Sequence, residues 1–345
     1  MSVPKKLRVA LVGTDSLKAQ EIKRVLESRP FPLASVEFYD PDVKEAYSKL
    51  TDFKDEPKVI QALTDDSLEG LDLVFLAADP ETDRRCGLLA EKLGFKAIDL
   101  SEAFNDRPDV PLIVAGVNDQ DLQPAKARLV ANPHPATIIL GHLFQPILNG
   151  PGIAKAIAFI LQPASAFGGA GIEELAGQSV SLFSGTALPT GVFKQQMAFN
   201  LLSHTDTEAP SGTGFTLTER RIVAEVRRVL HRPELALSLS VIQASQFHTY
   251  GIMSYLELER DADLPGMERV FADNPNLKRT ASDEPCSVSC ILVAGKDEVF
   301  IGQVKKEESL PRAFWVWSMA DNLTRGSALN AFDIARRLAG GAGPS

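Results

Sequence analysis

The stretch ANPHPATIIL at 131–140 carries the signals of a strand end, a turn and the first turn of a helix. An Asn-Pro pair leads into Thr137 and an apolar run. The positive N-terminus of such a helix would lower the pKa of a nucleophile placed there. Position 135, where the nucleophile would stand, holds proline. The segment therefore predicts the surroundings of a reactive group without the group itself.

Short apolar runs alternate with helical patterns in the first part of the chain. Runs typical of strands lie at 7–13, 35–40, 71–79, 95–101 and 111–118, and helical spacing marks 16–30 and 83–94. Alternating strands and helices predict α/β architecture with a Rossmann-like, doubly wound parallel sheet and right-handed crossovers. We expect a dinucleotide-binding domain over 1–133, completed by a C-terminal helix over 321–340.

From about residue 153 the pattern changes. Strand-like alternation covers 156–165, 178–185, 235–259 and 285–295, whereas 216–231 is one clear helix. This mixture is typical of a largely antiparallel sheet with helices on one face. We expect an α+β substrate and dimerisation domain over 134–320.

Composition excludes several classes of function. A formal net charge of −9 argues against binding a nucleic-acid backbone, which needs a basic surface. The longest apolar stretches fall short of the roughly 18 residues of a membrane span, and no signal-peptide pattern is visible, so we expect no membrane partner and a cytoplasmic location. Cys86, Cys286 and Cys290 form neither a disulfide framework nor a metal motif; CSVSC at 286–290 is expected to be a strand with both thiols on one face.

The order of these segments resembles aspartate-semialdehyde dehydrogenase and its paralogues over essentially the whole chain. The resemblance is carried by VALVG at 9–13, DLSEAF with DVPLIVAGVN within 99–118, ANPHPATI at 131–138, QPASAFGGAGIEEL at 162–175, QQMAFNLLSHTD at 195–206 and DNLTRGSALNA at 321–331. It implies an enzyme of amino-acid biosynthesis that interconverts an aldehyde and an acyl phosphate with NADP. A cysteine thiolate would attack the aldehyde and a histidine would serve as acid and base.

The same resemblance assigns catalytic positions. Pro135 stands at the position of the cysteine, His248 at that of the histidine, and Gln162 at that of a substrate-orienting glutamine. The arginine that would grip the substrate carboxylate corresponds to Val241, and the proline two residues later corresponds to Gln243. Valine cannot replace a bidentate guanidinium. His248 is therefore either a retained acid and base or a strand histidine held by packing.

Substrate-binding positions implied by the resemblance are Asn132, Ser165, Glu219 and Arg221. Glu219 and Arg221 lie on the helix that touches substrate or phosphate in the family. With Gln162 they would form an anion pocket. The alternative, which we favour, is that Glu219, Arg221 and Glu225 form the solvated face of an amphipathic helix.

Cofactor-binding positions are Gly13, Thr14, Asp15, Ser16, Asp40 and Asn322. Of the glycines in a Gly-x-x-Gly-x-x-Gly turn only Gly13 remains, and Ser16 is expected to act as a helix N-cap. Asp40 ends the second predicted strand, where an acid would accept hydrogen bonds from a ribose and repel a 2′-phosphate. We expect NAD rather than NADP, if either binds.

Two hypotheses follow. The favoured one is a catalytically inactive homodimer that binds a nucleotide, a metabolite or a partner protein; the strand-rich region 153–310, with alternation in SVSLFSG and SYLELE, would form the dimer surface. The alternative is an active NAD-dependent oxidoreductase that uses His248 without a covalent intermediate. His134 and His248 could hold a metal if they met, but two imidazoles without a carboxylate are a poor ligand set, so no metal site is predicted.

Overall fold

The computed structural model describes residues 5–45, 49–203, 212–280 and 288–340. They form two compact units: residues up to His134 together with those from Ser327 onward, and Pro135–Gly326. Within the described ranges, no helix has the length and apolar character needed to cross a membrane.

Strands and helices are numbered in chain order. In the first unit the strands are β1 (Leu7–Val12), β2 (Leu33–Asp40), β3 (Leu50–Phe53), β4 (Glu56–Ala62), β5 (Leu73–Leu76), β6 (Lys96–Asp99) and β7 (Leu129–Ala131). In the second unit they are β8 (Ile153–Gln162), β9 (Leu201–Leu202), β10 (Ala236–Ala244), β11 (Tyr250–Leu258), β12 (Leu277–Arg279), β13 (Val299–Lys306) and β14 (Ala313–Ala320). The α-helices are α1 (Leu17–Ser28), α2 (Pro80–Leu93), α3 (Pro135–Asn149), α4 (Gly168–Ser184), α5 (Leu217–Val229), α6 (Leu264–Ala272), α7 (Cys290–Val293) and α8 (Leu329–Leu338).

The first unit is the predicted Rossmann-like sheet. Its strand order is β3-β4-β2-β1-β5-β6-β7, and every pair is parallel except β3–β4. Central strand β1 is buried on both faces: Val9 and Leu11 join the core formed with α1 and α8, and Ala10 and Val12 join the core formed with α2. This explains why its sequence is a continuous apolar run rather than an alternating one.

The second unit contains the predicted, largely antiparallel sheet. Its order is β12-β13-β14-β11-β8-β10-β9, with β10–β8 and β12–β13 as its parallel pairs. Helices α3, α5 and α6 pack on the sheet. The side chains of β8 alternate, so that Ala156, Ala158 and Ile160 are fully buried while Phe159 is 43% exposed.

The predicted strand at 111–118 is wrong. Residues 115–118 form a turn, and the preceding residues are irregular apart from one bridge between Leu112 and Ala131. The Asn118 side chain accepts from the Val114 N–H at 2.8 Å and donates to the Leu112 carbonyl at 2.9 Å. Side-chain amides thus satisfy backbone groups that a strand would have used. The strand beside β6 is β7, which directly precedes Asn132.

The predicted strand at 178–185 is also wrong, because these residues form the end of α4. The buried residues of this helix, Gly171, Glu174, Leu175 and Gln178, have helical spacing and lie mostly earlier in the chain. Val180 is 68% exposed and Phe183 is 83% exposed. The alternation of polar and apolar residues in this stretch therefore does not correspond to an alternation of exposed and buried side chains. The expected contribution of SVSLFSG to a sheet surface therefore fails.

Two further predictions need correction. Ser289 caps the short helix α7 through the Leu292 N–H, so Cys290 begins a helical turn rather than ending a strand; Cys286 lies outside the described residues. The C-terminal helix predicted over 321–340 is regular only in α8, which follows a π-helical turn at Thr324–Ala328. The Asp321 carboxylate accepts from the N–H groups of Leu323 and Thr324 at 2.8 Å, which fixes a turn before that helix.

A pair of buried carboxyl groups lies in the first unit. Asp83 of α2 and Asp99 at the end of β6 are both fully buried. Asp83 Oδ1 accepts from the Ala78 N–H at 3.2 Å, whereas Asp99 accepts from the Ser101 and Phe104 N–H groups. Burial, followed by the negative charge of Asp99, raises the pKa of Asp83 to about 8.

This shift predicts a stability that falls as the pH rises from about 4 to about 8. Because the folded-state pKa of Asp83 lies above the unfolded value of about 3.9, the contribution of its proton is complete below pH 4 and is lost as pH rises through about 8. We expect Asp83→Asn to raise the melting temperature of the first unit at pH 7–9 by several degrees, since ~1 kcal/mol corresponds to about 2–4 °C in a cooperative unit of roughly 150–250 residues. The difference should shrink toward pH 4. Thermal unfolding across this pH range, with Asp106→Asn as an exposed control, would contradict the assignment if both variants follow the wild type.

Candidate functional site

The turn after β1 keeps the geometry of a phosphate-binding loop at one residue. Gly13 has φ +81°, and a Cβ there would lie 2.4 Å from Ala78 Cα, so only glycine fits. Ser16 caps α1, with its hydroxyl accepting from the Ala19 N–H at 3.1 Å, and the N-cap interpretation is confirmed. The N-terminus of α1 is formed, and its first turn holds no acidic residue. The loop before it, however, carries the negative charge of Asp15.

Asp40, at the end of β2, is held by three groups. Its Oδ2 accepts from Thr14 Oγ1 at 3.0 Å and lies 3.4 Å from Lys49 Nζ, while its Oδ1 accepts from the Asp42 N–H at 3.1 Å. Asp40 is 3% exposed. The structure thus brings three of the predicted cofactor positions, Thr14, Asp15 and Asp40, together around one lysine that the sequence reasoning missed.

Asn132 is fixed inside the first unit. Its side-chain oxygen accepts from Asn330 Nδ2 at 2.8 Å, and its backbone N–H donates to the Asp99 carbonyl at 2.9 Å. Asn330 of α8 also bonds the backbone of Ile113 and Ala115. Asn132 is thereby fixed in place by α8 and by the end of β6.

Pro135 is the first residue of α3 and is buried. A Cβ added at Gly326 would lie 3.0 Å from Pro135 Cβ, so the ring packs directly against this glycine. Proline suits the first position of a helix, because its missing N–H would have no intrahelical acceptor. The first turn of α3 also contains Thr137, which is fully buried and donates from Oγ1 to Glu225 Oε2 at 2.7 Å.

Gln162 lies in a polar row that crosses three neighbouring strands. Its Nε2 donates to Gln243 Oε1 of β10 at 3.1 Å, and its Oε1 accepts from the Tyr250 hydroxyl of β11 at 3.1 Å. Gln162 is 8% exposed, and Gln243 and Tyr250 are 1% exposed. The amide is consequently held on both sides, by an oxygen acceptor and by a hydroxyl donor.

Ser165, Asn322 and the residue after His248 meet in the second unit. Asn322 Nδ2 lies 3.1 Å from Ser165 Oγ, and its Oδ1 accepts from the Thr249 N–H at 3.0 Å. Thr249 has φ +75°, a strained conformation for a β-branched residue. His248 itself is half-buried. Asn322, predicted as a cofactor residue, is buried and bound within this unit.

Glu219 and Glu225 correct the interpretation of α5. Both are buried, whereas Arg221 is exposed, so the solvated-face interpretation is wrong for the two glutamates. Glu219 forms a capping box with Thr216, and its other carboxylate oxygen accepts from the Val241 N–H at 2.8 Å. Glu219 therefore links the start of α5 to β10. Its contact on β10 is Val241, the residue at the position where the resemblance would place an arginine.

Sequence reasoning missed the partners of the predicted residues. Lys49 belongs to no motif, and Tyr250 was part of a strand pattern without a polar role. In the described ranges no group of three or more His, Cys, Asp or Glu residues has the arrangement of a metal site. The arrangement in the second unit offers hydrogen-bonding groups that are already paired, and no thiol at the start of α3.

Comparisons with known proteins cover both units. Residues 8–125 match the family described as semialdehyde dehydrogenase, NAD binding domain, and residues 144–325 match semialdehyde dehydrogenase, dimerisation domain. Aspartate-semialdehyde dehydrogenase of Aquifex aeolicus (strain VF5) is 29% identical over 337 residues, covering 96% of this chain and 97% of its own. The enzyme of that name from Bacillus subtilis (strain 168) is 26% identical over 343 residues, covering 96% and 97%.

Solved structures agree. The crystal structure of aspartate semialdehyde dehydrogenase II from Vibrio cholerae has a TM-score of 0.89 and 25% identity, over 97% of this chain and 98% of that one. The nucleotide loop, the start of α3 and the polar row of Gln162 thus stand in the framework that the sequence segments resemble. The chain belongs to the aspartate-semialdehyde dehydrogenase family.

Proposed function

We propose that this chain is a catalytically inactive member of its family, retained as a dimer that binds a nucleotide or metabolite. The observation that carries the proposal is Pro135 at the first position of α3. Covalent catalysis by the family route needs a thiolate that attacks the aldehyde, accepts the acyl group and is later released by phosphate. A pyrrolidine ring supplies no lone pair for that attack.

Neighbouring hydroxyl groups do not replace the thiol. Thr137 is fully buried, and its hydroxyl is already bonded to Glu225. A nucleophile has to reach the substrate carbonyl, so a side chain without exposed surface cannot serve. Thr137 therefore has a structural role that joins α3 to α5.

The substrate-orienting groups are also engaged elsewhere. Gln243 and Tyr250 hold both polar ends of the Gln162 amide, and Glu219 uses its two carboxylate oxygens on backbone N–H groups. Freeing any of them would leave a buried polar group without its partner, at roughly 1–3 kcal/mol. These contacts support structural roles for Gln162 and Glu219.

Nucleotide binding is part of the proposal, with NAD favoured over NADP. Gly13 keeps the tight turn, Ser16 starts the helix, and the match to an NAD binding domain spans residues 8–125. The buried carboxylate of Asp40 suits the two free hydroxyls of an adenosine ribose. Asn322 and Asn132 act in this proposal as structural residues.

A homodimer is supported by one face of the second sheet. Phe159, Met253 and Trp317 lie side by side on neighbouring strands, and the rings of Tyr255 and Trp315 pack in a tilted arrangement with 5.0 Å between their centroids. In SYLELE the residues Leu256 and Leu258 face the buried side. The outward apolar surface is therefore formed by the aromatic residues and Met253 named above. An apolar sheet face of this kind is typical of an interface between subunits.

The loss of acyl chemistry can be tested directly. Purified protein mixed with aspartate semialdehyde, phosphate and NAD or NADP should give no reduced nicotinamide above the background without protein. The Aquifex aeolicus enzyme in the same assay supplies the positive control. Turnover that disappears in His248→Ala would instead establish the alternative, an active oxidoreductase that uses His248.

The dimer face has its own test. Phe159→Glu places a charge on the apolar face and should convert a dimer into a monomer in light scattering at micromolar concentration, because burying an unpaired carboxylate is strongly unfavourable. Leu88→Glu introduces the same charge at an exposed leucine of α2 and should leave the dimer intact. A monomeric wild type, or a dimeric Phe159→Glu, would contradict the assignment of this face.

A further inference from the structure

Lys49 joins two carboxylates of the nucleotide-binding unit. It precedes β3, and its carbonyl accepts from the Ile60 N–H at 3.0 Å, which fixes its backbone against β4. From there its Nζ forms ion pairs with Asp15 of the loop after β1 and with Asp40 Oδ2 at 3.4 Å. One ammonium group thus links the loop, the end of β2 and the strand hairpin at the sheet edge.

The two acids stabilise the charged form of this ammonium group. Burial acts to lower the pKa of Lys49, but the hydrogen bonds and charges of Asp15 and Asp40 outweigh it and raise the pKa above its ordinary value. The Lys49 side chain is 30% exposed and that of Asp15 is 68% exposed, so this pair lies where a ligand could reach it. Asp40, by contrast, is buried and aligned by Thr14 and Asp42.

The charges of this cluster distinguish two forms of adenosine ribose. A ribose with free 2′ and 3′ hydroxyls can donate to the Asp40 carboxylate, because among the described residues Oδ1 accepts only from the Asp42 N–H and has a further lone pair. A 2′-phosphate cannot donate in its ionised form and is repelled by Asp40 and Asp15. Lys49 would attract such a phosphate, but the two carboxylates that it contacts together carry more negative charge than it neutralises.

We propose that Lys49 is a specificity-determining residue, which Asp15 and Asp40 hold away from a 2′-phosphate so that the site selects NAD over NADP. This inference rests on the nucleotide binding proposed above. It adds a residue and a mechanism to the effect of the acid at position 40. A cation that could pair with the 2′-phosphate of NADP is already present in the fold, and it forms ion pairs with two aspartates instead.

The test is to free the lysine and ask whether it then binds NADP. Calorimetric or fluorescence titration should show that Asp15→Asn weakens the preference for NAD, and that Asp15→Asn combined with Asp40→Ser reverses it. The gain in NADP affinity should be about tenfold or more, as expected for a charge-assisted hydrogen bond to phosphate. Asp15 is exposed, so its single variant should fold even if the double variant does not.

The decisive control removes the lysine from the same background. Adding Lys49→Met to the double variant should abolish the gain for NADP, whereas Lys23→Met, at a lysine bound to Thr51 and the Asp52 carbonyl, should leave it unchanged. An equal gain without Lys49, or a wild type that binds NADP as tightly as NAD, would overturn the inference. Binding of neither dinucleotide by the wild type would also overturn it, yet would leave the loss of acyl chemistry at Pro135 untouched.

Discussion

Helix α3 is buried along almost its whole length, and the second unit is organised around the need to satisfy its polar side chains. The Thr137 hydroxyl is bonded to Glu225, and His142 Nε2 lies 3.5 Å from an Arg325 guanidinium nitrogen. Burial and the charge of Arg325 lower the pKa of His142, so the ring is neutral and can accept from that guanidinium. Pro135 adds no donor to this buried helix start. The packing therefore depends on the helix and not on a nucleophile at its first residue.

Several residues to which the family resemblance assigns a catalytic, substrate-binding or cofactor-binding position are bonded internally here. Gln162 is bound by Gln243 and Tyr250, Glu219 by two backbone N–H groups, and Asn322 by Ser165 and Thr249. Each of these contacts stabilises the fold, because a buried polar group without a partner is costly. Contacts of this kind are a structural reason for a residue to keep its place in a family signature, whether or not it takes part in chemistry.

The sequence predicted the architecture of both sheets because burial on two faces or one leaves a clear pattern in strands such as β1 and β8. It failed where polar side chains replaced backbone pairing, as at Asn118, and where an exposed helix end imitated strand alternation, as at Val180 and Phe183. The sequence predicted candidate site residues, but it did not predict which side chains they would contact. Lys49 lies 34 residues from Asp15, and Gln243 lies 81 residues from Gln162, so local periodicity contains no record of either pair.

Binding and covalent catalysis make different demands on a protein, and under the proposed function the two units of this chain meet them unequally. Binding energy is the sum of many contacts, so a loop that keeps Gly13, a capped helix and an acid at position 40 can lose two glycines and still recognise a ribose. Acyl transfer depends on one atom, and no accumulation of neighbouring contacts compensates for its absence. On the function proposed here, a bound dinucleotide would stabilise the folded chain in proportion to the logarithm of its concentration over Kd. That thermodynamic effect needs no turnover, and it gives a reason for the nucleotide-binding unit to persist in a protein whose reacting position is a proline.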